Sequence, residues 1–263
     1  MSPKMVPKNA GKVLVAGASR ESDQEMQLEM YRAAGFSGKG RAVSRDEFND
    51  MMDEGELVEG WRGVIGAGSQ AEGTLRERGI ARSLIDDEDH WPGRGITGNG
   101  TYVATHPDGR TEGARQAASL YGENLLRIGL PKNITETPFD DVHSVGQYID
   151  EIAYGDGPNG GKRPTDKAEA VFYDTALELF KQGRAEGLDD TQIAWTLADD
   201  GRLGIALGLD GYTVKHDGPE QGAEYTIVLN RTALVLDRTV YDSTGINPKH
   251  MQTGYDERGR PEE

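Results

Sequence analysis

Gly93-Arg-Gly95-Ile-Thr-Gly98-Asn-Gly100-Thr-Tyr102-Val-Ala-Thr105 is the stretch on which the fold class turns. Gly93, Gly95 and Gly98 satisfy G-x-G-x-x-G, the spacing with which a doubly wound sheet holds a dinucleotide. The pattern has that meaning only between a strand and a helix, where the pyrophosphate rests on the helix N-terminus. Here the acidic run Asp86-Asp-Glu-Asp89 and His90-Trp91-Pro92 come before it, and the β-prone Thr101-Tyr-Val103 comes after. Asn99-Gly100 is a tight-turn signal, so the segment predicts a turn into a strand over 101–105. Regular strand–helix alternation is missing. A helix-rich first part and a strand-rich finish make the chain α+β.

Further from this stretch, Met26, Met30 and Tyr31 recur at helical spacing from Asp23 to a stop at Gly35. Ser44-Arg-Asp-Glu47 spells a capping box for a helix carrying Phe48, Met51 and Met52 and ending at Gly55. Trp61 to Ile65 reads as a strand closed by Gly66 and Gly68, and Ala71 to Ile85 as a helix. Thr111 to Tyr121 is helical, Leu125 to Leu130 is a strand ended by Pro131, and Asp140 to Ala153 is a helix. Thr165 is the expected cap of an amphipathic helix with Ala168, Val171, Phe172, Thr175 and Leu179 inside. Asp189 or Asp190 caps another, carrying Ile193, Trp195 and Leu197. Leu203 to Leu207, Tyr212 to Lys215, Tyr225 to Leu229 and Ala233 to Leu236 read as strand-like or short apolar runs. The expected organisation is a flexible tail over 1–22, a single domain over 23–242 and a polar tail over 243–263.

Twenty-nine basic against forty-five acidic residues give a formal charge of −16. Such a surface repels phosphate backbones and disfavours broad electrostatic binding of nucleic acid. The absence of cysteine excludes disulfide scaffolds, thiolate metal sites and a cysteine nucleophile. No run approaches the roughly 20 apolar residues that cross a bilayer, and the N-terminus lacks a signal-peptide pattern. No membrane partner is expected.

Several apparent motifs fail on their context. Gly160-Gly161-Lys162 lacks the Walker spacing, which needs glycine at Asp156 and Ser or Thr at Arg163. Asp86 to His90 and the trio Asp140, Asp141 and His143 place neighbouring residues together without a metal-binding pattern, so no metal is expected. Five scattered histidines and no G-x-S-x-G give a Ser-His-Asp triad no support.

Three segments remain. Gly60-Trp61-Arg62-Gly63-Val64 sets an arginine among apolar strand neighbours, Gly98-Asn-Gly100-Thr-Tyr102 leads a turn into a strand, and Glu224 opens the apolar run Tyr225-Thr-Ile-Val-Leu229. Each has an ordinary reading: an ion-paired strand residue, a hairpin with a core tyrosine, a solvated strand start.

In this order the three resemble the mono-ADP-ribosyltransferase family, across most of Tyr31 to Leu236. The family pattern is an arginine followed by glycine on the first strand of the site. A G-x-G-x-Y turn into a short strand and a glutamate on a late strand complete it. Leu207-Gly-Leu-Asp-Gly-Tyr-Thr-Val214 is similar to the strand that precedes the glutamate strand in many members. Domains of this type encoded by bacteriophages, some near or within minor head proteins, are the nearest likeness. Two features depart from the toxin branch: Gly222 stands where a second glutamate is usual, and the Ser-Thr-Ser motif is missing. The late strand is instead similar to the poly-ADP-ribose polymerase branch, which has histidine where Arg62 stands.

The resemblance implies an ADP-ribosyltransferase-like α+β fold, with two small, mostly antiparallel sheets around an NAD cleft and flanking helices. It implies Glu224 as the catalytic residue and Arg62, Gly63, Gly98, Gly100, Thr101 and Tyr102 as the NAD-binding set, with no metal. The implied activity transfers ADP-ribose to a macromolecular acceptor, most simply a protein, with water as acceptor in a glycohydrolase alternative. An inactive phage structural protein is the remaining alternative. The corresponding locations are the host cytoplasm or the virion. The chemistry agrees: cleaving the bond from ribose to nicotinamide builds oxocarbenium character, which a preplaced carboxylate stabilises. Arg62 would hold the diphosphate as a charged fork, and Tyr102 would face nicotinamide.

Overall fold

Five helices begin where a side-chain oxygen takes a free backbone N–H: at Ser22, Ser44, Asp166, Asp189 and Asp199. The computed structural model describes residues 6–64, 97–105, 111–119, 124–134, 136–155, 160–215 and 224–237. In chain order the α-helices are α1 (Ala10–Ala18), α2 (Asp23–Ala34), α3 (Arg45–Asp53), α4 (Thr111–Ser119), α5 (Phe139–Tyr154), α6 (Lys167–Ala185), α7 (Asp190–Thr196) and α8 (Asp200–Ala206). The strands are β1 (Arg41–Val43), β2 (Leu57–Val64), β3 (Thr101–Thr105), β4 (Asn124–Pro131), β5 (Glu136–Pro138), β6 (Gly211–Lys215), β7 (Glu224–Val228) and β8 (Val235–Asp237).

The α+β class holds, but the strands form one eight-stranded sheet and not two small ones. Its order is β1-β8-β4-β2-β3-β7-β6-β5. The reason lies in β2, which pairs antiparallel with β4 along one edge and with β3 along the other. β1 and β8 pair in parallel, so the sheet is mixed.

The chain divides into two compact units built from interleaved segments. The first takes residues 1–37, 91–100 and 135–212, and the second takes 38–90, 101–134 and 213–263.

The first unit is helical. Residues 10–18, expected within a flexible tail, form α1 with Ala10, Val13 and Leu14 buried. Gly11 and Gly17 look like helix breakers in the sequence, but both are contact surfaces. A Cβ on Gly17 would lie 2.8 Å from Met30 Sδ and 2.8 Å from Thr196 Cγ2. α2 ends at Gly35 as expected. α6 is capped by Asp166, one residue beyond Thr165, and its buried face is Ala170, Ala176, Leu179, Phe180 and Gly183. Ala168, expected inside, is exposed, and Val171, Phe172 and Thr175 are half-buried. In α7 the Asp189–Gln192 capping box forms in full, while Trp195, expected inside, is exposed. Leu203 to Leu207 belongs to α8 and its C-cap, because Asp199 caps the Arg202 N–H and starts a helix. α5 follows expectation, while β5 at Glu136–Pro138 has no counterpart in the sequence reading.

In the second unit α3 is capped by Ser44, but only half of the expected box forms. Ser44 accepts from the Glu47 N–H, while the Glu47 carboxylate pairs with Arg41. Phe48 packs with Val43, Leu57 and Val235 on one sheet face. α4 covers the same face further along, where Tyr225 Oη donates to the Ala117 carbonyl at 2.9 Å. Ala233 to Leu236, expected as one apolar run, is split between a 3-10 turn at Arg231–Ala233 and β8. The expected helix over 71–85, the turn residues Gly93 and Gly95, and the tail over 243–263 lie outside the described residues.

Candidate functional site

β2, β3 and β7 are consecutive in the sheet and lie wholly in the second unit, so Arg62, Gly63, Thr101, Tyr102 and Glu224 share one framework. Trp61 lies opposite Ala104, and Thr105 lies opposite Glu224. Alternation from these anchors sorts the side chains. Trp61, Tyr102, Ala104, Tyr225 and Ile227 fall on the face that α4 covers. Arg62, Thr101, Val103, Thr105, Glu224 and Thr226 fall on the other. The structure thus groups Arg62, Thr101 and Glu224, and assigns Tyr102 to the opposite face. Strand spacing of about 4.8 Å puts β7 about 10 Å from β2, with Glu224 displaced by two residues along its strand from the level of Arg62.

Close approach of backbones makes this geometry. A Cβ on Gly60, two residues before Arg62, would run into Val103 Cγ1 and lie 3.3 Å from the Ala104 carbonyl. Glycine at 60 therefore lets β2 and β3 meet beside the arginine.

Arg62 has few partners. Its Nη1 donates to the Tyr102 backbone carbonyl at 3.3 Å, a long bond. Its Nε is buried with no hydrogen-bond partner. No carboxylate pairs with it among the described residues. Burial pushes the guanidinium down to about 10, an effect that nearby Tyr102 partly offsets. Thr101 is fully buried and its Oγ1 is also without a partner. Glu224 is half-buried; its backbone carbonyl accepts from Thr105 Oγ1 at 3.4 Å, and its carboxylate has no partner among the described residues. On the opposite face the Arg115 guanidinium stands 5.2 Å over the Trp61 ring.

Gly98 and Gly100 belong to the helical unit, where the turn 97–100 is tied down within that unit. Gly98 has φ +96°, and a Cβ there would collide with Tyr212 Oη and lie 2.7 Å from the Gly201 nitrogen. Tyr212 Oη donates to the Thr97 carbonyl at 2.6 Å, Asp199 accepts from the Asn99 N–H at 3.2 Å, and Gln27 donates to the Asn99 carbonyl at 2.9 Å. Packing alone therefore requires glycine at 98. Beside the turn, His143 Nδ1 lies 3.8 Å from Asp200 Oδ1. Burial raises the Asp200 carboxyl, with His143 pulling the other way.

Among the described residues no group of three or more His, Asp or Glu is placed to hold a metal ion. No helix among them is long and apolar enough to cross a membrane. The sequence marked Arg62 and Glu224 by their apolar settings. The orphaned Thr101 hydroxyl had no comparable signal, because its lack of a partner is created by packing. No family model, curated protein or solved structure matches the chain.

Proposed function

We propose that the chain is an NAD-dependent mono-ADP-ribosyltransferase, with Arg62 as the diphosphate-binding cation and Glu224 as the catalytic carboxylate. The observation that carries this reading is Arg62: a guanidinium with a sealed, unpartnered Nε and no carboxylate partner among the described residues. In a protein of charge −16, a half-buried cation with no carboxylate partner among the described residues favours an anion from outside. Glu224, two strands away on the same sheet face and with no partner for its carboxylate among the described residues, is the group that would meet the positive charge growing on a ribose bound beyond that diphosphate. In the reaction the C1′–N bond breaks, its electron pair leaves with neutral nicotinamide, and an acceptor nucleophile forms the new bond and loses its proton. Glu224 stabilises the cationic ribose and orders its hydroxyls; Arg62 anchors the diphosphate so that remote binding energy positions the reacting carbon. Tyr102 supports the site through its backbone carbonyl, which holds Arg62, since its ring falls on the other face.

The test is nicotinamide release from NAD, with full-length protein and candidate basic acceptor proteins present. Wild type releases nicotinamide, and Glu224→Gln slows release by about 10²–10³-fold. Wild type without release under any acceptor, or unchanged release by the variant, sinks the proposal. Label from the ADP-ribose half appearing on protein identifies transfer; label only in free ADP-ribose identifies the glycohydrolase.

A further inference from the structure

The helical unit holds an apolar cleft that the proposed function does not use. Val142 and Val145 from α5, Val171 and Phe172 from α6, and Leu207 and Leu209 beyond α8 form its walls. All six belong to the one unit. The cleft leaves about 40 Å³ for the centre of a water-sized sphere. A single water needs roughly 10–15 Å³ by that measure, so a short chain of a few heavy atoms fits. Val171, Phe172 and Leu207 are half-buried, which leaves the cleft open on their side.

The polar groups of the wall select what can enter. They are Thr137, Asp141 and Thr175. A hydroxyl has one proton to donate, and both threonines use theirs within the protein. Thr137 Oγ1 donates to Asp141 Oδ2 at 3.2 Å, and Thr175 Oγ1 donates to the Val171 carbonyl at 2.8 Å. These side chains therefore offer a ligand only acceptors, one of them a carboxylate. No lysine, arginine or histidine pairs with Asp141 among the described residues. On the same two helices, His143 lies against Asp200, and Arg163 holds both oxygens of Asp174.

An anion would be repelled by Asp141, and a neutral chain would take water from the carboxylate without replacing its charge partner. An alkylammonium ion meets both demands: its methylenes lie on the apolar walls and its N–H groups donate to the carboxylate. We propose that this cleft is a binding site for a short protonated primary alkylamine, with Asp141 receiving the ammonium group. The site does not depend on Arg62, Glu224 or NAD.

NMR titration of the full chain near pH 7 with n-butylammonium, 1-pentanol and pentanoate tests this, read on valine methyl and α5 amide signals. n-Butylammonium is expected to shift Val142, Val145 and Val171 to saturation, and to bind at least about tenfold more tightly than the alcohol or the acid. Asp141→Asn keeps an acceptor for Thr137 and removes the charge. It is expected to lose about tenfold in amine affinity and to bind the alcohol as wild type does. Val171→Met, which fills the cleft from its open side, is expected to abolish binding of amine and alcohol without lowering the Tm. No saturable shift with n-butylammonium, equal affinity for 1-pentanol, or wild-type amine binding by Asp141→Asn overturns the proposal. Should Asp141→Asn fail to fold, Val171→Met decides, and undiminished amine binding there overturns the site. Shifts confined to residues outside α5 and α6 do the same.

Discussion

Arg202 in the helical unit and Arg62 in the sheet unit are both drawn away from water, and their surroundings differ in kind. Arg202 donates from Nε to the Thr196 carbonyl at 2.8 Å, from Nη1 to Asp23 at 2.8 Å and from Nη2 to the Trp195 carbonyl at 3.5 Å. It closes the end of α7 and ties it to α2, with each nitrogen committed. Arg62 has one long bond to a carbonyl and a sealed Nε with nothing opposite. The same residue type thus stands in two different settings. A satisfied buried arginine ties elements together, whereas an unsatisfied one lowers stability.

The comparison can be broken most directly at Arg202. Arg202→Met removes a donor from Asp23 and from two carbonyls, and should cost about 2–3 kcal/mol in chemical denaturation. Denaturation at the wild-type midpoint would remove Arg202 from the structural class. Arg62→Met should do the reverse: lose at least tenfold in ADP affinity by titration, while stability holds or rises by about 1 kcal/mol, because an unpaired buried charge is replaced by an apolar chain. A large drop in Tm for that variant would make the two arginines alike.

A smaller effect comes from pH. Arg62 is a base with a lowered folded value of about 10, so the unfolded chain holds its proton more tightly and burial costs stability below that pH. Anion binding needs the protonated form. ADP affinity should therefore stay flat from pH 7 to pH 9 and fall by about tenfold per unit above about 10. A decline centred near neutrality would show that Arg62 does not govern the binding.

Much of the fold was legible because local signals agreed with each other. β3 runs from Thr101 to Thr105 as the Asn99-Gly100 turn and β-prone residues indicated, and α2 stops at Gly35. The failures have physical causes. Val13 and Leu14 sit between glycines that read as breakers, and only the facing Met30 and Thr196 show that those glycines admit another helix. Leu203-Gly-Ile-Ala-Leu207 is a short apolar run, which periodicity cannot assign; the Asp199 cap settles it as helix. The merging of two expected sheets into one depends on β2 having partners along both edges, a long-range fact. At the candidate site, Arg62 and Glu224 stood out as charges in apolar strands. The sheet face of Tyr102 and the isolation of the Thr101 hydroxyl depend on register, which one residue of slippage would reverse.

Among the described residues β1 lies at the edge of the sheet beside β8, with Arg41 opposite Val235. That partner is synthesised some two hundred residues later, after every segment of the helical unit has been made. β8 also joins β1 to β4, so the early strands of this sheet emerge from the ribosome without the piece that connects them. Completing the sheet is therefore a late event governed by closure of a long loop, and the helical unit has all of its sequence first.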